Sequence, residues 1–233
     1  MRVFGDWRVE RYYRRTLSDS ELARQWRDHT FRDLEMPAEP AVLDYGCGRG
    51  RHVALLSQLG LRVAAQDIEH HAWWRHLDGC GFQVVPPDAP RLPWIDGTFH
   101  AVLDVTVIHH LDRAQLQALA AEVFRVLAPG GYWLLTEANS ESYGAAAPMR
   151  HYGRLHSLPD VQAHAAAAGF QDAGHSYEGF YAPVLTTFVN FLRKQAWPGP
   201  FTVDDFDSPL AAMMPASRRA LWRLCLRKPL DNG

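Results

Sequence analysis

The run Ala41-Val42-Leu43-Asp44-Tyr45-Gly46-Cys47-Gly48-Arg49-Gly50 begins apolar and ends in three glycines at alternate positions. Glycines there let a backbone approach a ligand closely and take φ values that other residues resist. A strand that breaks into such a turn and feeds a helix forms the mouth of a nucleotide-type site. A second carboxylate, Asp67, ends the apolar run Leu61–Asp67. A carboxylate at the C-terminal end of a strand can accept hydrogen bonds from both hydroxyls of a ribose. Two familiar loops are disfavoured. In G-x-G-x-x-G, counted from Gly46 and Gly48, the third glycine falls on Arg51, and the chain lacks the Gly-Lys-Ser/Thr that a phosphate loop requires next.

The elements that must carry these residues can be read from periodicity. Short apolar runs at 41–45, 61–67, 82–85, 100–105 and 132–136 read as strands. Between them, helices are expected from Val53 to about Gly60, from His70 to Leu77, and from an Asp112 cap through Leu127, with Pro129-Gly130-Gly131 as a turn. Strand and helix in alternation imply a parallel sheet covered on both faces. Ser157 can cap a helix from Pro159 through Ala168, stopped by Gly169. Gln171–Glu178 reads as a sixth strand, and Val184–Gln195 as helical. The stretch 220–227 could be a basic amphipathic helix at a membrane surface. Its alternation fits a last strand better, with Trp222, Leu224 and Leu226 on one face.

Composition bounds the partners. A chain of 233 residues, 47% hydrophobic and 21% charged, suits one folded α/β domain. The net charge of −2 gives no basic field, which argues against nucleic acid. No apolar run is long enough to span a membrane, and arginines interrupt the N-terminus where a secretory signal would need an apolar stretch. Cys47, Cys80 and Cys225 are too few and too dispersed for a disulfide framework or zinc cluster, so a reducing cytoplasm is expected. The twelve histidines show no metal-ligand spacing, and no metal is expected.

Asp44-x-Gly46-x-Gly48-x-Gly50, together with the motifs downstream of it, resembles the class I S-adenosylmethionine-dependent methyltransferases, in particular the methyltransferase type 11 branch. The resemblance runs through Asp67, Asp88-Ala89, Leu92-Pro93-Trp94, Asp96-Gly97-Thr98-Phe99, Ile108-His109-His110-Leu111 and Arg125–Gly131, and more loosely through Arg154–Asp160. It implies a Rossmann-like doubly wound sheet, mostly parallel with an antiparallel last strand. It implies S-adenosylmethionine as cofactor. The glycine turn (Asp44, Tyr45, Gly46, Gly48) would face the methionyl part, Asp67 with Ile68 the ribose, and Asp88-Ala89 the adenine; Val105 completes the assigned set. His100 and Asp104 depart from the family pattern. His100 is expected at the sheet's entrance, and Asp104 could be a buried carboxylate in need of a partner.

The chain reads as a single methyltransferase domain over 1–233: an N-terminal lid or outer packing helix (1–35), a cofactor core (36–178), a cap-like insert (179–210), and a last strand with tail (211–233), the lid and the insert lying outside the resemblance. In such a site the cofactor carries the hard chemistry, so few catalytic residues are needed. His109, just after the fourth strand, is the candidate general base; it could instead cap the next helix or pack beside the cofactor. Glu137 could bind substrate or be solvated. His151, His156 and Tyr143 are weaker candidates. The aromatic-rich lid, the loop 138–154 and the insert suit a small-molecule acceptor. The alternatives are a transfer-RNA-modifying methyltransferase and a cofactor-binding module without catalysis.

Overall fold

The structure, a computed structural model, describes residues 30–31, 33–77, 79–86, 88–89, 91–142, 155–178 and 213–230. Nearly all of the expected lid, the loop residues Tyr143 and His151, the helical stretch 184–195 and the insert 179–210 lie outside them.

Strand β1 (Ala41–Tyr45) is buried along four of its five residues. It leads through the glycine turn into helix α1 (Arg51–Gln58), which buries Val53, Ala54, Leu55 and Leu56. Strands β2 (Arg62–Asp67) and β3 (Gly81–Val84) then line up parallel to β1 and to each other. The remaining elements are β4 (Phe99–Val105), α2 (Arg113–Val126), β5 (Leu127–Ala138), α3 (Leu158–Ala167), β6 (Gln171–Glu178) and β7 (Leu221–Arg227). The seven strands form one sheet in the order β3-β2-β1-β4-β5-β7-β6. The chain walks outward from β1 to β3 and returns beside β1 with β4. That reversal is the switch point where open α/β sheets bind ligands.

Strands β6 and β7 pair antiparallel, with a bulge between Asp172 and Gly174. Trp222, Leu224 and Leu226 are all buried, so the tail is the expected last strand and not a membrane-surface helix. Ser157 caps α3, its hydroxyl accepting the Asp160 N–H.

Contacts gather the described residues into two compact units. One holds the residues up to Leu103 with Glu122–Trp133 and Lys228 onward; the other holds Asp104–Ala121 and Leu134–Arg227.

Two elements depart from expectation. The helix expected over His70–Leu77 is a single short 3-10 segment, Ala72–His76. His71 is extended (φ −103°, ψ 133°) and offers no side-chain cap. The buried Trp74 stacks on Phe82 with ring centroids 4.6 Å apart, and tertiary anchoring of this kind overrides helix propensity. Strand β5 begins five residues early, at Leu127. The expected turn at Pro129-Gly130-Gly131 is paired instead: Gly130 N–H donates to Lys228 O (3.0 Å), and Lys228 N–H donates to Gly131 O (2.8 Å). The same lysine donates from Nζ to Phe124 O (2.8 Å) and Leu127 O (2.7 Å), satisfying carbonyls that the end of α2 would otherwise leave bare. His100 lies at the start of β4 as expected, and its Nδ1 accepts the Ala41 N–H at 3.0 Å.

Arg125, in the last turn of α2, clamps the loop before β4. Its guanidinium donates to Trp94 O and Asp96 Oδ1 (both 2.8 Å), to Leu92 O (3.1 Å), and to both oxygens of Glu122. Glu122 in turn accepts the Leu92 N–H at 2.7 Å. Arg125→Ala is therefore expected to cost on the order of 2–3 kcal/mol, since bonds from a charged donor are worth more than neutral ones. Chemical denaturation checks it; loss well under 1 kcal/mol would show the clamp to be dispensable.

Candidate functional site

In the first unit the site is built on the glycine turn. Gly46, Gly48 and Gly50 have φ of 65°, 52° and 84°, a left-handed region that residues with a Cβ enter at a cost. A Cβ at Gly48 would meet no atom within 4 Å, so its surroundings are open to a ligand. Three interactions hold the turn to β2 and the loop after it, and a fourth orients the Asp67 carboxylate. Cys47 N–H donates to Gln66 O at 2.9 Å. Gly48 N–H donates to Asp67 Oδ2 at 2.6 Å. Trp74 Nε1–H donates to Gly48 O at 2.8 Å. Ile68 N–H donates to Asp67 Oδ1 at 2.7 Å, which fixes the carboxylate's orientation.

Asp44 lies below the turn, 1% exposed, and its Oδ2 meets no hydrogen-bond donor. Burial, then the charge of Asp67, push its carboxyl up to about 8; the Val53 N–H pulls the other way. Burial and the Asp44 charge also raise the Cys80 thiol to about 12, and burial raises Cys47 further, so neither cysteine is poised as a nucleophile. A buried, under-satisfied carboxyl beneath an open turn suits a cationic ligand. S-Adenosylmethionine carries a sulfonium and an ammonium, and fits.

The expected ribose and adenine residues take up the same edge. Asp67 is in register with Val84, and Ile68 and Val84 are 60% and 49% exposed. Two bare apolar side chains at the C-terminal ends of neighbouring strands can cover a flat base. Val84 had no distinguishing signal in the sequence beyond its place in a strand. Asp88 is exposed, Ala89 half-buried, and Tyr45 half-buried at the end of β1.

The second unit contains Val105, half-buried at the end of β4, and the buried Asp104 before it. Thr106 comes next with φ 59°, a left-handed non-glycine residue, pinned by its N–H to Thr136 O at 2.8 Å. Such strain costs about 1–3 kcal/mol and collects at functional sites. Residues Ile108–His110 then form a 3-10 turn that sends the His109 ring inward. Its Nδ1 lies 3.1 Å and 3.0 Å from the two oxygens of Glu137, with both residues buried. Glu137 also accepts the His109 N–H (3.2 Å) and the Ala138 N–H (2.8 Å). With N–H donors converging on both oxygens, the carboxylate is the acceptor, so Nδ1 carries the proton and Nε2 is the basic nitrogen.

Glu137 is thus not solvated; it is fully buried and spent on orienting His109. No local sequence pattern joins residues 28 positions apart, so the pair could not be read beforehand. His110 is exposed, its ring 4.0 Å from that of His109. His156 is packed, with Nε2 2.9 Å from Leu111 O. Among the described residues, no group of histidines, cysteines and carboxylates could hold a metal.

Residues 42–131 match a family model described as a methyltransferase domain. A fatty-acid O-methyltransferase of Mycolicibacterium smegmatis is 36% identical over 42% of this chain and 36% of its own length. A tRNA (carboxymethyluridine(34)-5-O)-methyltransferase of Arabidopsis thaliana is 30% identical over 43% of this chain and 24% of its own. A S-adenosylmethionine-dependent methyltransferase structure from Archaeoglobus fulgidus superposes with a TM-score of 0.64, covering 97% of this chain and 100% of that one at 14% identity. Three curated relatives are spanned over 36% to 60% of their lengths. The fold and the matched residues define a methyltransferase domain. Residues 42–131 thus resemble methyltransferase domains, and the fold is shared with the Archaeoglobus fulgidus S-adenosylmethionine-dependent methyltransferase.

This geometry has two measurable outcomes. Asp67→Ala removes the carboxylate offered to the ribose and should weaken binding of S-adenosylhomocysteine at least about tenfold by calorimetry; unchanged affinity would discard that role. The Asp44 carboxyl, near 3.8 when unfolded and about 8 when folded, keeps its proton in the folded state while the unfolded chain has lost it. Its contribution to the stability of the ligand-free protein should therefore fall as pH rises from about 4 to about 8, then level off. Asp44→Asn should flatten that slope in pH-dependent denaturation curves.

Proposed function

We propose that this protein transfers a methyl group from S-adenosylmethionine to a small-molecule acceptor, with His109 as general base and Glu137 as the residue that positions it. The observation that carries the base assignment is the buried His109–Glu137 pair, which leaves the imidazole basic at Nε2. The cofactor assignment rests on the family and on the open turn above Asp44.

The cofactor, when bound, supplies an activated methyl carbon on a sulfonium and departs as a neutral thioether. The turn residues Asp44, Tyr45, Gly46 and Gly48 would hold its methionyl end, Asp67 and Ile68 the ribose, and Asp88 and Ala89 would border the base. Holding the acceptor in line supplies on the order of 7–11 kcal/mol. His109, held through Nδ1 by Glu137, would take the acceptor's proton at Nε2. A base of this kind contributes on the order of 10²–10⁴-fold.

The net charge of −2 supports a small acceptor over nucleic acid. The likeness to the Arabidopsis enzyme is the reason to keep transfer RNA as the second reading. Incubation with methyl-labelled cofactor separates the two. Label is expected in a panel of small carboxylic acids, phenols and amines. Label in unfractionated transfer RNA alone would favour the second reading, and cofactor binding without any transfer would mark a non-catalytic module.

Glu137→Gln tests the base assignment without an acceptor. The native His109 should show the Nδ1–H tautomer in nitrogen-15 imidazole spectra, and the variant should lose that preference. A native ring already in the Nε2–H form would remove Glu137's positioning role.

A further inference from the structure

Outside the residues used above, a further concave feature lies among the described residues of the first unit. Residues 70–76, after β2, and Arg49, between Gly48 and Gly50, border a half-open cavity of about 410 Å³. Ligand pockets range over roughly 300–1,000 Å³, so it is large enough for a small molecule. Its walls are Arg49, His70, His71, Trp73, Arg75 and His76, with Ala72. Two guanidiniums and three imidazoles thus meet with no carboxylate among the described lining residues. The acidic residues that precede this wall are Glu69, which is exposed, and Asp67, whose Oδ1 is 3.7 Å from His71 Nε2 and already accepts from Ile68.

The chain as a whole is slightly acidic. Five nitrogenous side chains gathered within one short loop and its neighbour are therefore a local departure, not part of a general basic surface. They are also not a metal site, since no set of three candidate ligands converges among the described residues. Guanidinium groups match phosphate oxygens in pairs, and imidazole N–H groups add single donors. Trp73 and His76 stand with ring centroids 5.2 Å apart and planes inclined at 56°, which offers aromatic surface beside the charges. Trp74, by contrast, turns away to brace Gly48 and stack on Phe82, so the loop has a fixed inner side and a wet outer one.

We infer that this cavity binds a phosphate monoester borne on a planar group, with Arg49 and Arg75 on the phosphate and Trp73 against the ring. The cofactor contains no phosphate, so the ligand is a second molecule. It sits beside the glycine turn because Arg49 belongs to that turn.

The test uses the full chain and three probes: phenyl phosphate, inorganic phosphate and phenol. Binding is measured by calorimetry and by tryptophan indole signals in nitrogen-15 spectra, with and without saturating S-adenosylhomocysteine. Phenyl phosphate is expected to bind saturably below about 1 mM, at least tenfold tighter than either inorganic phosphate or phenol, with or without the second ligand. Arg75→Glu should weaken it at least tenfold. Arg75 donates to the neighbouring His76 ring and takes no part in the glycine turn, so the variant should keep the native affinity for S-adenosylhomocysteine, which also serves as a check on folding. Three results would overturn the assignment: no saturation by 10 mM (roughly millimolar affinity is the weak limit of specific binding), equal affinity in Arg75→Glu, or displacement of phenyl phosphate by S-adenosylhomocysteine. The last would make the cavity part of the cofactor's own site. The first two leave cofactor binding and methyl transfer untouched, and the third presupposes that the cofactor product binds.

Discussion

The bond from Gly48 N–H to the Asp67 carboxylate is the constraint on which the first unit depends. It joins the end of β1 to the end of β2, two strands already in parallel register. Glycine is required because the turn passes through the left-handed region three times in five residues. Once the turn is so bent, Gly48 O faces the Trp74 indole, and Trp74 draws the loop after β2 inward. The same bend covers Asp44 and leaves one of its oxygens without a donor. An unfavourable buried carboxyl is thus maintained by a favourable backbone bond just above it. The desolvation is tolerated where a positively charged ligand can relieve it.

In the second unit the corresponding constraint is a left-handed Thr106 leading into one turn of 3-10 helix. Neither is a stable element alone. They persist because Thr136 and Glu137, neighbours on β5, accept the Thr106 and His109 backbone N–H groups. The histidine is therefore fixed twice, through its ring and through its main chain. A side chain held in this manner loses little entropy when it meets a reacting group, which is the physical basis of preorganisation.

Much of this was legible in the residues. The strands carry their apolar runs, α3 has its serine cap, and the alternation of Trp222, Leu224 and Leu226 reports the buried face of β7. Local rules suffice there because each element's own period matches its burial. They fail where distant partners decide. The segment 72–76 has helix-forming residues, but Phe82 and Gly48 claim Trp74. Pro129-Gly130-Gly131 has turn composition, but Lys228 pairs with it from about a hundred positions away. Arg125 stands in a recognisable motif, yet its motif does not say that it grips the carbonyls of Leu92 and Trp94. Glu137 shows the same limit at the site: a carboxylate near the end of a strand reads equally as substrate-binding or solvated until its histidine is found.

The cap on α2 has a bearing on how the protein is made. Lys228 reaches the carbonyls of Phe124 and Leu127, residues 104 and 101 positions earlier in the chain. At a synthesis rate of about 5–20 residues per second, those carbonyls wait on the order of 5–20 s for their partner to be translated. Until then the end of α2 and the start of β5 can only be solvated or fray. The first unit therefore cannot finish folding as its own residues emerge. It closes after the ribosome has delivered the strand that pairs with β6, so a core assembled early in synthesis is sealed by one of the later segments of the chain.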